Sequence, residues 1–158
     1  MRKALKIEFQ EFDSMSELSE KEAQLLQQAE KARLNAYAPY SSFKVGAAVL
    51  LNNGQIVLGN NQENAAYPSG LCAERVAIFS ALANHPNAEI EVIAISAKTA
   101  DLSPVPPCGA CRQVLIEAEQ KTEQSIRLIT GHPESKILAF DKINNLLPFS
   151  FEKRHLPD

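Results

Sequence analysis

The sequence predicts an α/β fold with a mixed sheet covered by helices on both faces. Three observations carry this. "KVGAAVLL" (44–51), "NNG" (52–54) and "QIVLGN" (55–60) form a hairpin signature, because Asn-Gly is the strongest short turn signal between apolar runs. The runs "EVIAISA" (91–97) and "SIRLITG" (125–131) are short, apolar and β-branched, as buried strands are. In the second half of the chain such strands alternate with helical segments, the pattern of βαβ units. A hairpin followed by these units makes the sheet mixed rather than parallel. The length of 158 residues, with 45% hydrophobic and 22% charged residues, suits one soluble globular domain.

The elements follow in order. "KIEFQEF" (6–12) alternates enough for a short edge strand. Ser19 with Glu22 is a capping-box pair, and it opens a helix expected to reach about Tyr37 before Pro39 stops it. After the hairpin, "CAERVAIFSALANH" (72–85) reads as a helix ended by His85-Pro86. "CGACRQVLIEAEQ" (108–120) is a second helix, placed after three prolines. "KILAF" (136–140) adds a further strand, and a short helix lies around "DKINNLL" (141–147). There is no internal repeat, low-complexity tract or linker.

Composition excludes several functional classes. The longest apolar runs, "VGAAVLL" and "VIAISA", fall far short of the roughly 20 residues of a membrane span. "MRKALKIEFQEF" has basic residues but no apolar core, unlike a secretory signal, so the expected location is the cytoplasm. In a reducing compartment, cysteines serve as metal ligands or catalysts more often than as disulfides. Net charge is −3, with no basic cluster longer than "EKRH" (152–155). A main partner made of nucleic acid needs a concentrated positive surface, which this chain lacks.

The chemistry concentrates on three cysteines, Cys72, Cys108 and Cys111. Cys108 and Cys111 have the spacing of a redox pair, but that reading leaves Cys72 without a role. Three buried structural thiols are the bland alternative. Against it, each cysteine cluster sits at the start of an expected helix, where free N–H groups favour a thiolate. Each is also followed by an arginine, Arg75 or Arg112. Structural zinc sites take four protein ligands, and catalytic ones take three and keep a position open. His85, His132 and His155 have no ligand spacing to a cysteine and read as surface residues. Three thiolates therefore imply a zinc with one open position.

Glu74 lies two residues after Cys72, in the first turn of the same helix. From there a carboxylate reaches a water at the open position and exchanges protons with it. Its alternative role is simply to stabilise the helix start. Three thiolates on one zinc leave a net charge of about −1, which works against an acidic water. Arg75 and Arg112 are the residues placed to offset it by hydrogen bonding the sulfurs.

The pairing of "CAE" (72–74) with "PCGAC" (107–111) is that of zinc deaminases in which the glutamate is not a ligand. The chain resembles the small cytidine deaminases of nucleoside salvage. The resemblance extends over "AYAPYSSFKVGAAVL" (36–50), "GNNQENAAYPSGLCAER" (59–75), "PPCGACRQVL" (106–115) and "LLPFSF" (146–151). It implies a single deaminase domain with its core at about 25–151, and residues 1–20 as an addition. It implies a three-layer α/β/α fold around a mixed sheet of about five strands. It also implies one Zn²⁺ per subunit on Cys72, Cys108 and Cys111, with Glu74 as proton shuttle. Asn61 and Glu63 match residues that hold the ribose hydroxyls. Phe43, Tyr67 and Ala73 match residues that line the nucleoside site, and Phe151 matches an aromatic reaching an adjacent subunit's site, with Phe149 its close competitor. A homotetramer with sites near subunit interfaces follows from the same likeness. The implied reaction is hydrolytic deamination at C4 of cytidine and deoxycytidine. "YPSG" (67–70) departs from the commonest family wording at the edge of the pocket.

Three rival readings remain at this level. A nucleic-acid-editing deaminase shares the zinc chemistry but needs a basic groove. A deaminase of a nucleoside antibiotic such as blasticidin S shares the "PCGxCRQVL" wording, while "NQENAAY" (61–67) favours cytidine. A structural zinc module needs a fourth protein ligand and has no use for Glu74.

Overall fold

The computed structural model describes residues 1–157. Its order is β1 (Gln10–Phe12), α1 (Glu20–Leu34), β2 (Val45–Leu51), β3 (Ile56–Asn60), α2 (Ala73–Asn84), β4 (Ile90–Ala97), α3 (Gly109–Thr122), β5 (Arg127–Gly131) and β6 (Ile137–Phe140). The strands form one six-stranded sheet ordered β1-β6-β5-β4-β2-β3. Only β4 and β5 run parallel, joined by α3; every other neighbour is antiparallel. The sheet has six strands rather than about five because β1 pairs with β6 and extends that edge.

Alternation along each strand distributes the core between two faces. Ala47, Val49 and Leu51 of β2 face α2 and α3 together with Ile93, Ile95 and Leu128. Ala48 and Leu50 face α1, together with Ala94 and Ile129. A strand buried on both faces has no polar side, which is why β2 and β4 read as continuous apolar runs.

Two glycines set how closely the helices approach. A Cβ on Gly46 would lie 2.0 Å from the Ala29 carbonyl oxygen of α1. A Cβ on Gly59 would lie 2.5 Å from the Ala73 carbonyl oxygen and 2.5 Å from the Ala77 nitrogen of α2. The first turn of α2 therefore rests directly on β3.

Helix α1 begins at its capping box, with the Glu22 N–H donating to Ser19. It ends at Leu34, three residues short of Tyr37. The Asn35 N–H closes the last turn onto Ala32 and Arg33, and Tyr37 is drawn into a bridge with Gln62. The segment around 141–147 holds a single 3-10 turn, Ile143–Asn145. His132 corrects another expectation. It is not a surface residue but 5% exposed, its Nε2 lying 3.6 Å from Glu30 on the α1 face.

Candidate active site

Two helix starts make the site. Cys72 is the residue capping α2 and Cys108 the residue capping α3, both in extended backbone with no side-chain cap. Cys111 follows one turn into α3 and is fully buried. α2 and α3 lie on the same face of the sheet, so their first turns meet. The Cys72 and Cys108 sulfurs are 3.9 Å apart, and those of Cys108 and Cys111 are 3.5 Å apart. All three lie within 4.8 Å of one another. These gaps are far beyond a disulfide bond of about 2.0 Å. A tetrahedral zinc with Zn–S of about 2.3 Å separates its sulfurs by about 3.8 Å, so the trio fits that ion. Among the described residues no fourth metal-binding side chain joins the group.

A hydrogen bond from Cys111, assisted by Arg75, pulls the Cys72 thiol down to about 5. Cys111 is pushed up by the same hydrogen bond and by burial. Glu74, in the first turn of α2, is 5% exposed. Burial, together with the charge on Cys72, pushes its carboxyl above the ordinary range. A carboxyl in that state is suited to holding a proton as well as giving it up.

The two arginines part company. Arg75 Nη2 lies 4.0 Å from the Cys72 sulfur and 3.4 Å from the Gly70 carbonyl, and its Nε is buried without a partner. Arg112 donates to the carbonyls of Pro107 at 2.8 Å and Leu146 at 2.7 Å. It fastens the backbone ahead of Cys108 to the segment after β6, and it does not bond a sulfur.

A cleft of ≈ 490 Å³ opens onto Cys72 and Arg75, with Asn61, Glu63, Tyr40 and Tyr67 among its walls. Backbone bridges tie its lining segments together. Tyr37 N–H donates to Asn61, Glu63 N–H donates to Tyr37, and Gln62 and Leu71 bond each other at 2.9 Å both ways. That last pair delivers the chain to Cys72. Asn61 accepts from Val45 N–H at 2.8 Å and donates to the Phe43 carbonyl at 2.9 Å, so its amide holds the start of β2. Glu63 accepts from the N–H groups of Tyr40 and Ser41 and from the Ser41 hydroxyl. Those bonds hold its carboxyl below the usual range. Tyr67 meets Tyr40 edge-on with ring centroids 5.9 Å apart.

Phe43 and Ala73 do not line this cleft. Ala73 is fully buried in the first turn of α2, and Phe43 is exposed at the loop preceding β2. Phe151 lies apart as well: its ring leans on His155 and its carbonyl accepts from Gln113. Sequence reasoning missed Tyr40, Ser41 and Thr130. The Thr130 hydroxyl donates to the Val105 carbonyl at 2.6 Å and ties down the prolines leading to Cys108. A hydroxyl residue inside the apolar run "RLITG" was the available signal; the structure shows it fully buried.

Comparison with known proteins agrees with this geometry. The family described as "Cytidine and deoxycytidylate deaminase zinc-binding region" matches residues 19–124. A cytidine deaminase of Halalkalibacterium halodurans is 38% identical over 134 residues, covering 85% of this chain and 96% of that one. One of Sporosarcina psychrophila is 47% identical over 133 residues, covering 84% and 92%. The crystal structure of cytidine deaminase from Burkholderia pseudomallei superimposes with a TM-score of 0.72 at 40% identity, covering 81% of this chain and 97% of that one.

Proposed function

The chain belongs to the cytidine and deoxycytidylate deaminase family, and on that premise we propose how its residues convert cytidine and deoxycytidine to uridine and deoxyuridine with release of ammonia. One observation carries the reading: three convergent thiols at two helix starts, with a buried Glu74 beside them and a nucleoside-sized cleft opening onto Cys72. Cys72, Cys108 and Cys111 hold zinc, which supplies Lewis acidity and lowers the pKa of water toward roughly 7.

Glu74 takes the proton released by the attacking water and delivers it to N3 of the pyrimidine, making C4 electron-poor. The new C4–O bond forms as the ring nitrogen is protonated. Glu74 then carries the second proton to the amino group, and the C4–N bond breaks to give ammonia. Its burial suits both halves of this work, because desolvation penalises the carboxylate and raises the pKa, so that the group takes up a proton readily and still gives it back. The Arg75 guanidinium offsets the negative charge of the thiolates from the Cys72 side.

Glu63 and Asn61 are the proposed sugar contacts. The Glu63 carboxylate, already fixed by the 40–41 loop, accepts from a ribose hydroxyl, and Asn61 keeps that loop in register with β2. Tyr67 closes the outer edge, Phe43 approaches the base from the loop before β2, and Ala73 contributes only through its backbone. Phe151 serves a neighbouring subunit in a cytoplasmic homotetramer that works in pyrimidine salvage. The support for assembly is the set of aromatic rings left outside the chain's own core: Tyr67 is 75% exposed, Phe149 97% and Phe151 59%.

The test mixes purified, zinc-loaded protein with cytidine, deoxycytidine, CMP and blasticidin S, with and without a chelator, following ultraviolet absorbance. Turnover of the two nucleosides that chelation abolishes is expected. Zinc in stoichiometric amount with no nucleoside turnover would reject the reading in favour of a structural metal. Sedimentation of the same sample reports the assembly.

A further inference from the structure

The first nine residues lie outside the deaminase resemblance, since the family match begins at residue 19. They precede β1, which is the free edge of the sheet, and residues 1–11 are all exposed. Leu5, Ile7 and Phe9 alternate along this arm and are 60%, 47% and 56% exposed. Phe9 sets its ring beside that of Phe140, 5.8 Å between centroids. The Asn145 side chain anchors the arm by donating to the Glu8 carbonyl at 3.0 Å. An alternating segment that continues a free edge strand is a template for another strand.

The charges along the arm state which strand fits. Lys3 and Lys6 lie toward its start, Glu8 and Glu11 toward its end; within one chain Lys6 meets Glu8 at 2.6 Å and Glu11 meets Lys136 at 2.5 Å, exposed pairs that a second strand's charges can exchange with. Two copies laid antiparallel about a two-fold axis through Ile7 place Ile7 opposite Ile7 and Leu5 opposite Phe9. The same register sets Lys6 opposite Glu8 and Lys3 opposite Glu11. Directly opposed residues share a face, so all six apolar side chains fall on one side. A shift to the next register of the same facing puts Lys6 opposite Lys6 or Glu8 opposite Glu8, and like charges in that position repel. The segment is thus complementary to itself in one register, as an isologous contact requires.

We propose that residues 3–11 pair with the same residues of a second copy, antiparallel and centred on Ile7, so that β1 of each subunit runs beside the arm of the other and the two sheets become continuous. This contact belongs to the arm and is separate from any assembly made by the deaminase core.

The test uses the full-length, zinc-loaded chain carrying Ile7→Cys. Opposed antiparallel residues have Cα atoms about 4.5–5.5 Å apart, within the range a disulfide spans. Mild oxidation is expected to give a dimeric band on a non-reducing gel, absent for the unsubstituted chain and for Gln10→Cys, whose partner in this register is Ala4. Adding Lys6→Glu should lower the yield by about fivefold through like-charge opposition. Adding Lys6→Glu and Glu8→Lys together should restore it, because the swap recreates the complementarity. Cytidine turnover should be unchanged throughout, which shows that each variant folds. A yield no higher than that of Gln10→Cys overturns the proposal, as does a yield indifferent to Lys6→Glu.

Discussion

At the residue scale, Glu74 and Arg75 carry separable burdens. Glu74 is not one of the three converging groups but stands beside Cys72 and Cys111, buried, in the first turn of α2. Glu74→Ala should keep its zinc and lose at least about 10²–10⁴ in kcat, the range general acid–base groups supply. Zinc by atomic absorption beside single-turnover kinetics checks this, and full activity would remove Glu74 from the mechanism. Arg75 works through charge: its guanidinium lies against Cys72. Arg75→Gln should weaken zinc binding about 10–100-fold, the usual effect of losing a group that supports a ligand. Competition against a chromophoric chelator measures it. Arg112→Gln should instead lower stability with a smaller change in metal affinity, since Arg112 serves the carbonyls of Pro107 and Leu146.

At the scale of elements, the site depends on where α2 rests. Gly59→Ala forces a methyl into the Ala73 carbonyl and the Ala77 amide. Overpacking of this kind costs about 1–3 kcal/mol, which is roughly 2–12 °C in Tm for a chain of this size. Because the displaced turn carries Cys72 and Glu74, zinc content should fall with it; a calorimetric scan and metal analysis together check both. Helix α1 offers a pH test. Burial pushes the Glu22 carboxyl up, but the Ser19 hydroxyl and the Arg127 guanidinium at 2.5 Å more than offset it and hold it below the ordinary range. A depressed folded pKa gives stability that is complete above the unfolded value near 4.3 and is lost as pH falls through the folded value. Glu22→Gln should cost about 1–2 kcal/mol at pH 7. That gap should close below about pH 4 as Glu22 in the parent is protonated, in urea unfolding repeated across pH.

For the whole molecule, a zinc on Cys72 and Cys108, 36 residues apart in sequence, would join α2 to α3 across the face of the sheet. Zinc held at a thousandfold above its Kd stabilises by about 4 kcal/mol. Chelation should therefore lower Tm by roughly 10 °C, and a Tm indifferent to chelator would mean the thiols hold no ion. Much of this was legible in the chain itself. Periodicity marked both layers of helix and a mixed sheet of about five strands, one fewer than the six that form and with the first expected over 6–12 where only Gln10–Phe12 pairs; Asn53-Gly54 marked the hairpin, and the placing of Cys72, Cys108 and Cys111 at helix starts marked the metal. These features are local: a cap, a turn or an alternating face is set by neighbours within a few residues, so spacing alone determines them. Other features needed the tertiary structure. The parallel pairing of β4 with β5 and the seating of α2 on Gly59 bring the three sulfurs within one ion's reach. The same packing gives Arg75 to a sulfur and Arg112 to two carbonyls, buries His132 against Glu30, and turns Asn61 and Glu63 toward the backbone they brace. Which partner a long polar side chain meets depends on surfaces joined across the fold, and no spacing within one segment encodes that meeting.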